Sequence, residues 1–211
     1  QYKSLSLERH IFRGWNIFHS ESGDYLISLP AQGRVSDHWY EGTADAIFQN
    51  IHAVQVENPD AVLVLSGDHI YKSDYRKILR YHQEKNADAV VLTKIVPVAE
   101  ASRFGILGVN NENRIVSFTE KPRKPAPTPW DSSKSLVSMG VYLFDTRVLI
   151  KALLKDARNP KSSHDFGRDI IPRLVKESNI YAYLFDGYWE DIGTIDAYWK
   201  ANMAFLSSNP P

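Results

Sequence analysis

Cysteine is absent from all 211 residues. That excludes disulfides, thiolate nucleophiles and Cys-ligated zinc, and it is compatible with a reducing cytosol. Net charge is absent as well, because 25 Lys and Arg balance 25 Asp and Glu. Nothing supplies the broad basic surface that nucleic acid or an anionic membrane selects, so an anionic partner must be met by a few focused cations. No run of eighteen apolar residues occurs and the opening QYKSLSLERH is not a signal peptide, so a cytoplasmic protein is expected. The eleven glycines never fall into GxGxxG or Walker spacing, which removes the commonest phosphate loops. A clear first strand and an initial Met are also missing. An α/β sheet normally begins with a strand, so the chain is expected to be an internal piece of a longer protein.

What is present suits one large α/β domain with ample core: apolar residues make up 43% and charged residues 24%, both ordinary for a globular chain. The organising stretch is VLVLSGDHIY, residues 62–71. A buried strand, Val62 to Leu65, runs into Ser-Gly-Asp, and a helix follows from about Ser73 with Tyr75, Ile78, Leu79 and His82 on one face. Ligands of open α/β sheets bind at the carboxyl ends of strands, so Asp68 is placed to direct a carboxylate into a crevice. The alternative is that Asp68 only caps the following turn.

Other elements follow the same logic. Residues 4–18 read as a helix with Leu7, Ile11 and Trp15 on one side, and Tyr25 to Leu29 as a loop or short strand. In WYEGTADAIFQN, Gly42 permits an unusual backbone angle, Thr43 can cap a helix, and Ile47, Ile51 and Val54 form its buried stripe. Free N–H groups at that helix start would suit a phosphate or nucleotide edge. Residues 88–97 repeat the buried-strand pattern, so the sheet is expected to be parallel there. Residues 104–120 form a hairpin about Asn110 to Asn113 that delivers Glu120 and Lys121 at its far end. Residues 122–135, with four prolines, are an irregular exposed connection. A strand at 136–144, a helix through Val148 to Leu154, a helix over 162–178 interrupted or restarted near Pro172, and a strand at 180–185 follow. Thr194 then caps a last helix with Ile195, Trp199, Met203 and Leu206 on one face.

Asp68, the Glu120–Lys121 pair and Asp191 thus lie at strand ends. Two carboxylates converging on one crevice can hold magnesium against substrate phosphates, and a lysine there offers a point charge for a phosphate. Such a set fits nucleotidyl or phosphoryl transfer. Each member also has a plainer reading: Lys121 as a solvated surface residue, Glu120 paired with Arg123, Asp191 serving backbone donors before the last helix. His69 beside Asp68 and His164 beside Asp165 could suggest metal ligands, but no HxH or HxxxH spacing occurs, so packed or backbone-bonded histidines are expected. Trp39-Tyr40 and Tyr188-Trp189 could stack a base or sugar, although interior packing is the commoner fate of such pairs.

Six stretches in order, WYEGTADAIFQN, LSGDHIYKSDY, FGILGVNNENRIVSFTEKP, SKSLVSMGVYLFD, SSHDFGRDIIP and YWEDIGTIDAYWKANM, together resemble the bacterial ADP-glucose pyrophosphorylases (glucose-1-phosphate adenylyltransferases) across essentially the whole chain. The resemblance implies a Rossmann-like sugar nucleotidyltransferase domain: a mostly parallel mixed sheet flanked by helices, here without its first strand and Gly-rich loop. It implies an enzyme that joins ATP and α-D-glucose 1-phosphate into ADP-glucose and pyrophosphate with Mg2+, the committed step of glycogen or starch synthesis. Asp68 and Asp191 resemble the metal-binding carboxylates, with Asp68 also catalytic. Glu120 and Lys121 match the pair that holds the sugar hydroxyls and the sugar phosphate. Tyr40, Gly105 and Ser138 match positions lining the sugar-phosphate or sugar-nucleotide site, and Asp165 a carboxylate near the glucose. Gln32, and Gln1 with it, resemble glutamines near the adenine.

The implied mechanism is in-line attack of a glucose 1-phosphate oxygen on the α-phosphorus of ATP, with no covalent enzyme intermediate. The family's Gly-rich triphosphate loop and its carboxy-terminal β-helix, which helps build the tetramer and the effector site, have no counterpart in this sequence. The 211 residues alone are therefore expected to be almost inactive, and the full-length protein a homotetrameric enzyme. Two other readings are a non-catalytic regulatory homologue, disfavoured by the joint presence of Asp68, Lys121 and Asp191, and another sugar-1-phosphate nucleotidyltransferase.

Overall fold

Two strands, β3 (Ala89–Pro97) and β6 (Lys134–Asp145), read as nearly continuous apolar runs because both of their faces are covered. Side chains alternate across a strand, so Ala89 and Val91 enter one core and Val90 and Leu92 the other. The first core packs the sheet against α2 (Thr43–Phe48), α6 (Thr146–Ala157) and α7 (Ile171–Glu177), around Phe144, Leu149, Leu153 and Ile171. The second lies under α4 (Tyr75–Glu84), whose Ile78 is wholly buried beside Met139, Phe104 and Trp189. Burying one such side chain stabilises the fold by about 1.5–3 kcal/mol. This computed structural model describes residues 4–15, 23–29 and 39–211. Gln1 and Gln32 lie outside them.

The main sheet runs β5–β4–β6–β3–β7, where β4 is Gly105–Val109, β5 Ile115–Glu120 and β7 Ile180–Leu184. A further strand, β1 (Ala61–Val64), pairs with β6 alone. The mixed α/β class is as expected, but the pairing is not mostly parallel. Among the described residues only β3 and β7 pair in parallel within this sheet, while β1–β6, β3–β6, β4–β5 and β4–β6 are antiparallel. The reason is a long-range insertion. β1 and β3 run the same way, as a strand–helix–strand unit requires, but β6, which begins at Lys134 well after β3 ends at Pro97, lies between them. A strand–helix–strand pattern gives direction, not adjacency. With β6 its one partner among the described residues, β1 is half-buried rather than buried.

The hairpin forms as expected, its turn closed by Asn110 Oδ1 accepting from Glu112 N at 3.0 Å and Arg114 N at 2.9 Å, with Asn113 in the left-handed region. A π-helical turn, Phe166–Ile170, precedes α7, which carries Pro172 in its first turn. Three short elements were not foreseen. One is α5 (Val98–Ala101), directly after β3. After Asp68 the chain forms β2 (His69–Tyr71), which pairs antiparallel with β8 (Trp189–Asp191) as a separate two-stranded ribbon. The helix expected from Thr43 breaks at Gln49–Asn50, leaving α3 (Ile51–Glu57) separate. Residues 24–29 form a loop.

Two helices depart from their expected faces. α1 (Ser4–Gly14) leaves Leu7 and the adjoining Trp15 exposed. Thr194 caps α8 (Ile195–Ala204) by accepting from Ala197 N, but Ile195, Trp199, Met203 and Leu206 face outward and Ala197 and Ala201 face in. Small residues let α8 lie close to its support, and size rather than apolarity chooses that face. No helix among the described residues is long and apolar enough to cross a membrane.

Candidate active site

A cleft of about 500 Å³ opens where β1 ends, between the start of α2 and the π-helical turn; Asp68, Glu120, Tyr142, Asp165 and Gly167 are among its lining residues. Asp68 sits in the Leu65–Asp68 connection, its Oδ1 accepting a short hydrogen bond from Ser66 Oγ. It does not cap α4; Asp74 does, accepting from Arg76 N at 3.1 Å. The β2–β8 ribbon sets His69 opposite Asp191, and Ile192 N donates to the Asp68 carbonyl at 3.1 Å. Two short strands far apart in sequence therefore bring both aspartates to one rim. Asp191 Oδ1 also accepts from Gly193 N at 2.9 Å, so the plainer role foreseen for it coexists with its place at the rim.

Between the two carboxylates stands His69, whose Nε2 is 3.6 Å from Asp68 Oδ1 and 4.0 Å from Asp191 Oδ1. Trp189 Nε1 donates to His69 Nδ1 at 3.4 Å, and the rings meet edge to face at 5.6 Å. A neutral imidazole that accepts at Nδ1 carries its hydrogen on Nε2. His69 thus offers the aspartates an N–H rather than a lone pair, and oxygen is left as the donor atom for a cation. Ligand atoms of Asp68, His69 and Asp191 lie within 4.8 Å of one another. Two carboxylates at that spacing fit a magnesium ion, which takes oxygen ligands and completes its shell with water and substrate phosphate. Behind the imidazole, β6 bulges around Gly140, whose φ of +67 favours glycine; a Cβ there would be in ordinary contact with His69 Cε1 at 3.4 Å.

On the opposite wall Glu120 ends β5, directly across from Gly105. Its carboxylate lies in a notch between two glycines. A Cβ on Gly105 would come 2.7 Å from Glu120 Oε2, and one on Gly167 would come 2.6 Å from it. Lys121 Nζ is 3.8 Å from Glu120 Oε1, and the lysine backbone has φ 44. A left-handed lysine is disfavoured, and such conformations concentrate at functional sites. Burial raises the Glu120 pKa and the Asp165 charge adds to this, with Lys121 opposing. Burial likewise pushes the Tyr142 phenol up to about 12, against a hydrogen bond with Ser138.

Because Glu120 holds its proton more tightly in the folded chain, its contribution to stability is present at acid pH and lost as pH rises through the raised pKa. Glu120→Gln keeps the shape and removes the desolvated charge. The variant is expected to melt roughly 2 °C higher at neutral pH, with the difference vanishing at acid pH, in paired thermal unfolding curves.

Of the expected residues, Asp68, Glu120 and Asp165 line the cleft, while Asp191 stands beside Asp68 across His69 and Lys121 and Gly105 lie against Glu120. Ser138 is buried on β6, bonded to Gly140 N at 3.2 Å. Tyr40 does not line the cleft, and its hydroxyl accepts from Asn50 Nδ2 at 2.8 Å at the α2–α3 break. The N–H groups expected to be free at the start of α2 are taken. Ala44 N and Asp45 N donate to the His164 carbonyl at 2.8 and 3.3 Å, and Gly42 packs on that carbonyl. Thr43 does not cap: its Oγ1 donates to Asp165 Oδ2 at 3.0 Å and accepts from Phe166 N at 3.1 Å.

Sequence reasoning weighed His69 as a metal ligand and set it aside, and it passed over Tyr142, Phe166 and Gly167. Tyr142 could have been found, since it stands an even number of residues beyond Ser138 on one strand. His69 carried no metal-ligand spacing because its role depends on Trp189, 120 positions away.

A family model described as "Nucleotidyl transferase" matches residues 1–208. Among curated proteins, the chain is 47% identical over 220 residues to "Glucose-1-phosphate adenylyltransferase 2" of Vibrio parahaemolyticus, covering 100% of this chain and 54% of that protein. It is 49% identical over 218 residues to the protein of the same name from Pseudoalteromonas atlantica, covering 100% of this chain and 52% of the relative. A "Glucose-1-phosphate adenylyltransferase" of Shewanella sp. (strain W3-18-1) is 47% identical over 218 residues, with 100% and 52% covered. The chain spans about half the length of the curated relatives it matches.

Proposed function

The chain belongs to the nucleotidyl transferase family, and we propose that in its intact protein it carries out adenylyl transfer from ATP to α-D-glucose 1-phosphate, giving ADP-glucose and pyrophosphate. One observation carries the reading: the paired carboxylates of Asp68 and Asp191 stand at the rim of the cleft whose far wall presents Glu120 and Asp165. The names of the relatives support the adenylyl group and the sugar phosphate.

Lys121 would meet the phosphate of glucose 1-phosphate, lowering the repulsion between two anions, while Glu120 and Asp165 accept hydrogen bonds from sugar hydroxyls. A phosphate oxygen of the sugar phosphate then attacks the α-phosphorus, a new P–O bond forms, and the bond to the departing pyrophosphate breaks. Asp68 and Asp191 would hold Mg2+, which when bound polarises the α-phosphate. His69 donates toward the two carboxylates and keeps nitrogen out of the ligand set. The same reading makes the intact protein a cytoplasmic homotetramer under allosteric control, acting in glycogen synthesis.

Pyrophosphate release by the intact protein with glucose 1-phosphate and ATP, UTP or dTTP tests the reading. ATP is expected to be preferred by about a hundredfold or more, as when a site bonds one base and leaves its groups unpaired with the others. Preference for UTP or dTTP, or no turnover with any of the three, would overturn it.

A further inference from the structure

Just before the cleft wall, residues 162–164 are held by a buried carboxylate that the site itself does not use. Asp156, at the end of α6, is 2% exposed. Ser162 Oγ donates to its Oδ1 at 2.8 Å, His164 Nδ1 lies 2.8 Å from its Oδ2, and Arg173 of α7 stands 3.7 Å away. A carboxylate can only accept, so Nδ1 is the donor. The other ring nitrogen, Nε2, is 3.5 Å from Glu41 Oε2. Meanwhile the His164 backbone has φ 54, the left-handed region that Gly takes freely and, among other residues, chiefly Asn, Asp and His.

That conformation turns the His164 carbonyl onto the start of α2, where it receives the Ala44 and Asp45 N–H groups. Approach is so close that a Cβ on Gly42 would come 2.2 Å from His164 O. The next residues are the cleft wall. Asp165 and Phe166 are tied to Thr43 at 3.0 and 3.1 Å, and Gly167 backs the Glu120 carboxylate. Release of the His164 ring would free the turn that sets all three.

We propose that Asp156 and His164 are a positioning pair that fixes the wall Asp165–Gly167, and through it Glu120, for the sugar end of the substrate. The inference rests on the nucleotidyl-transfer reading for its substrate, and on geometry alone for the wall. Two substitutions of His164 in the intact protein separate ring from backbone. His164→Gly accepts the left-handed angle but has no donor; His164→Asn also tolerates that angle and puts an amide N–H near the position of Nδ1.

With His164→Gly, KM for glucose 1-phosphate is expected to rise about tenfold, the loss of one hydrogen bond to a charged group, while KM for ATP stays nearly unchanged. Amide hydrogen exchange at residues 165–167 should quicken in the same variant. His164→Asn should restore both readouts, and Asp156→Asn, which keeps the buried shape, should behave as His164→Gly does. Equal effects on both substrates, unchanged exchange in His164→Gly, or failure of His164→Asn to rescue would overturn the proposal. Exchange needs no turnover. Quickened exchange in a protein that makes no sugar nucleotide would sink the functional reading and leave the positioning pair standing.

Discussion

Asp68→Asn in the intact protein is expected to lower turnover by about a thousandfold, the scale on which removing one preorganised electrostatic contact acts. The loss should fall mainly on kcat, because the missing charge acts where negative charge redistributes during transfer. Folding should survive. The Asp68 side chain is 65% exposed and accepts from Ser66 Oγ, two residues away, so the melting temperature is expected to move by no more than about 2 °C. Asparagine keeps the shape and one accepting oxygen, but it turns an NH2 or a neutral carbonyl toward the cation. Added Mg2+ should therefore recover only a small part of the activity. Steady-state kinetics across a magnesium titration, with a thermal melt of the same sample, decide the matter, and near-normal turnover would remove Asp68 from the proposed metal site.

What the sequence disclosed was mostly local. Asn110 and Asn113 announce the hairpin, Thr194 announces α8, and Pro172 marks the start of α7, because each acts within four residues of its own position. Sheet order was not legible, since β6 inserts between two strands whose relation looked complete without it. Helix faces failed where apolarity and size disagree: α8 turns alanines inward and its tryptophan out. For the candidate site, Asp68, Glu120, Lys121 and Asp191 stood out because strand ends open into the crevices of α/β sheets, although each also had a plainer use. Those whose use depends on a distant partner were missed or misread. His69 needs Trp189, and Gly42 needs a carbonyl more than 120 residues away.

Lys121→Ala carries the second large effect. Its ammonium, 3.8 Å from Glu120 and 59% exposed, has no structural partner of consequence, and an exposed pair of this kind adds little to stability. Removing it is expected to raise KM for glucose 1-phosphate by about fiftyfold, the worth of one charge-assisted contact, while KM for ATP moves far less. The backbone supplies a control that most lysines lack. At φ 44 alanine keeps the left-handed strain and glycine relieves it, so Lys121→Gly should be at least as stable as the parent by thermal unfolding. Its loss of sugar-phosphate affinity should nevertheless match that of Lys121→Ala. A residue held in a disfavoured conformation whose relief stabilises the protein and weakens one substrate is being kept for that substrate. If both variants raise the two KM values alike, Lys121 does not bind the sugar phosphate; if glycine lowers the melting temperature, the lysine conformation is not strained.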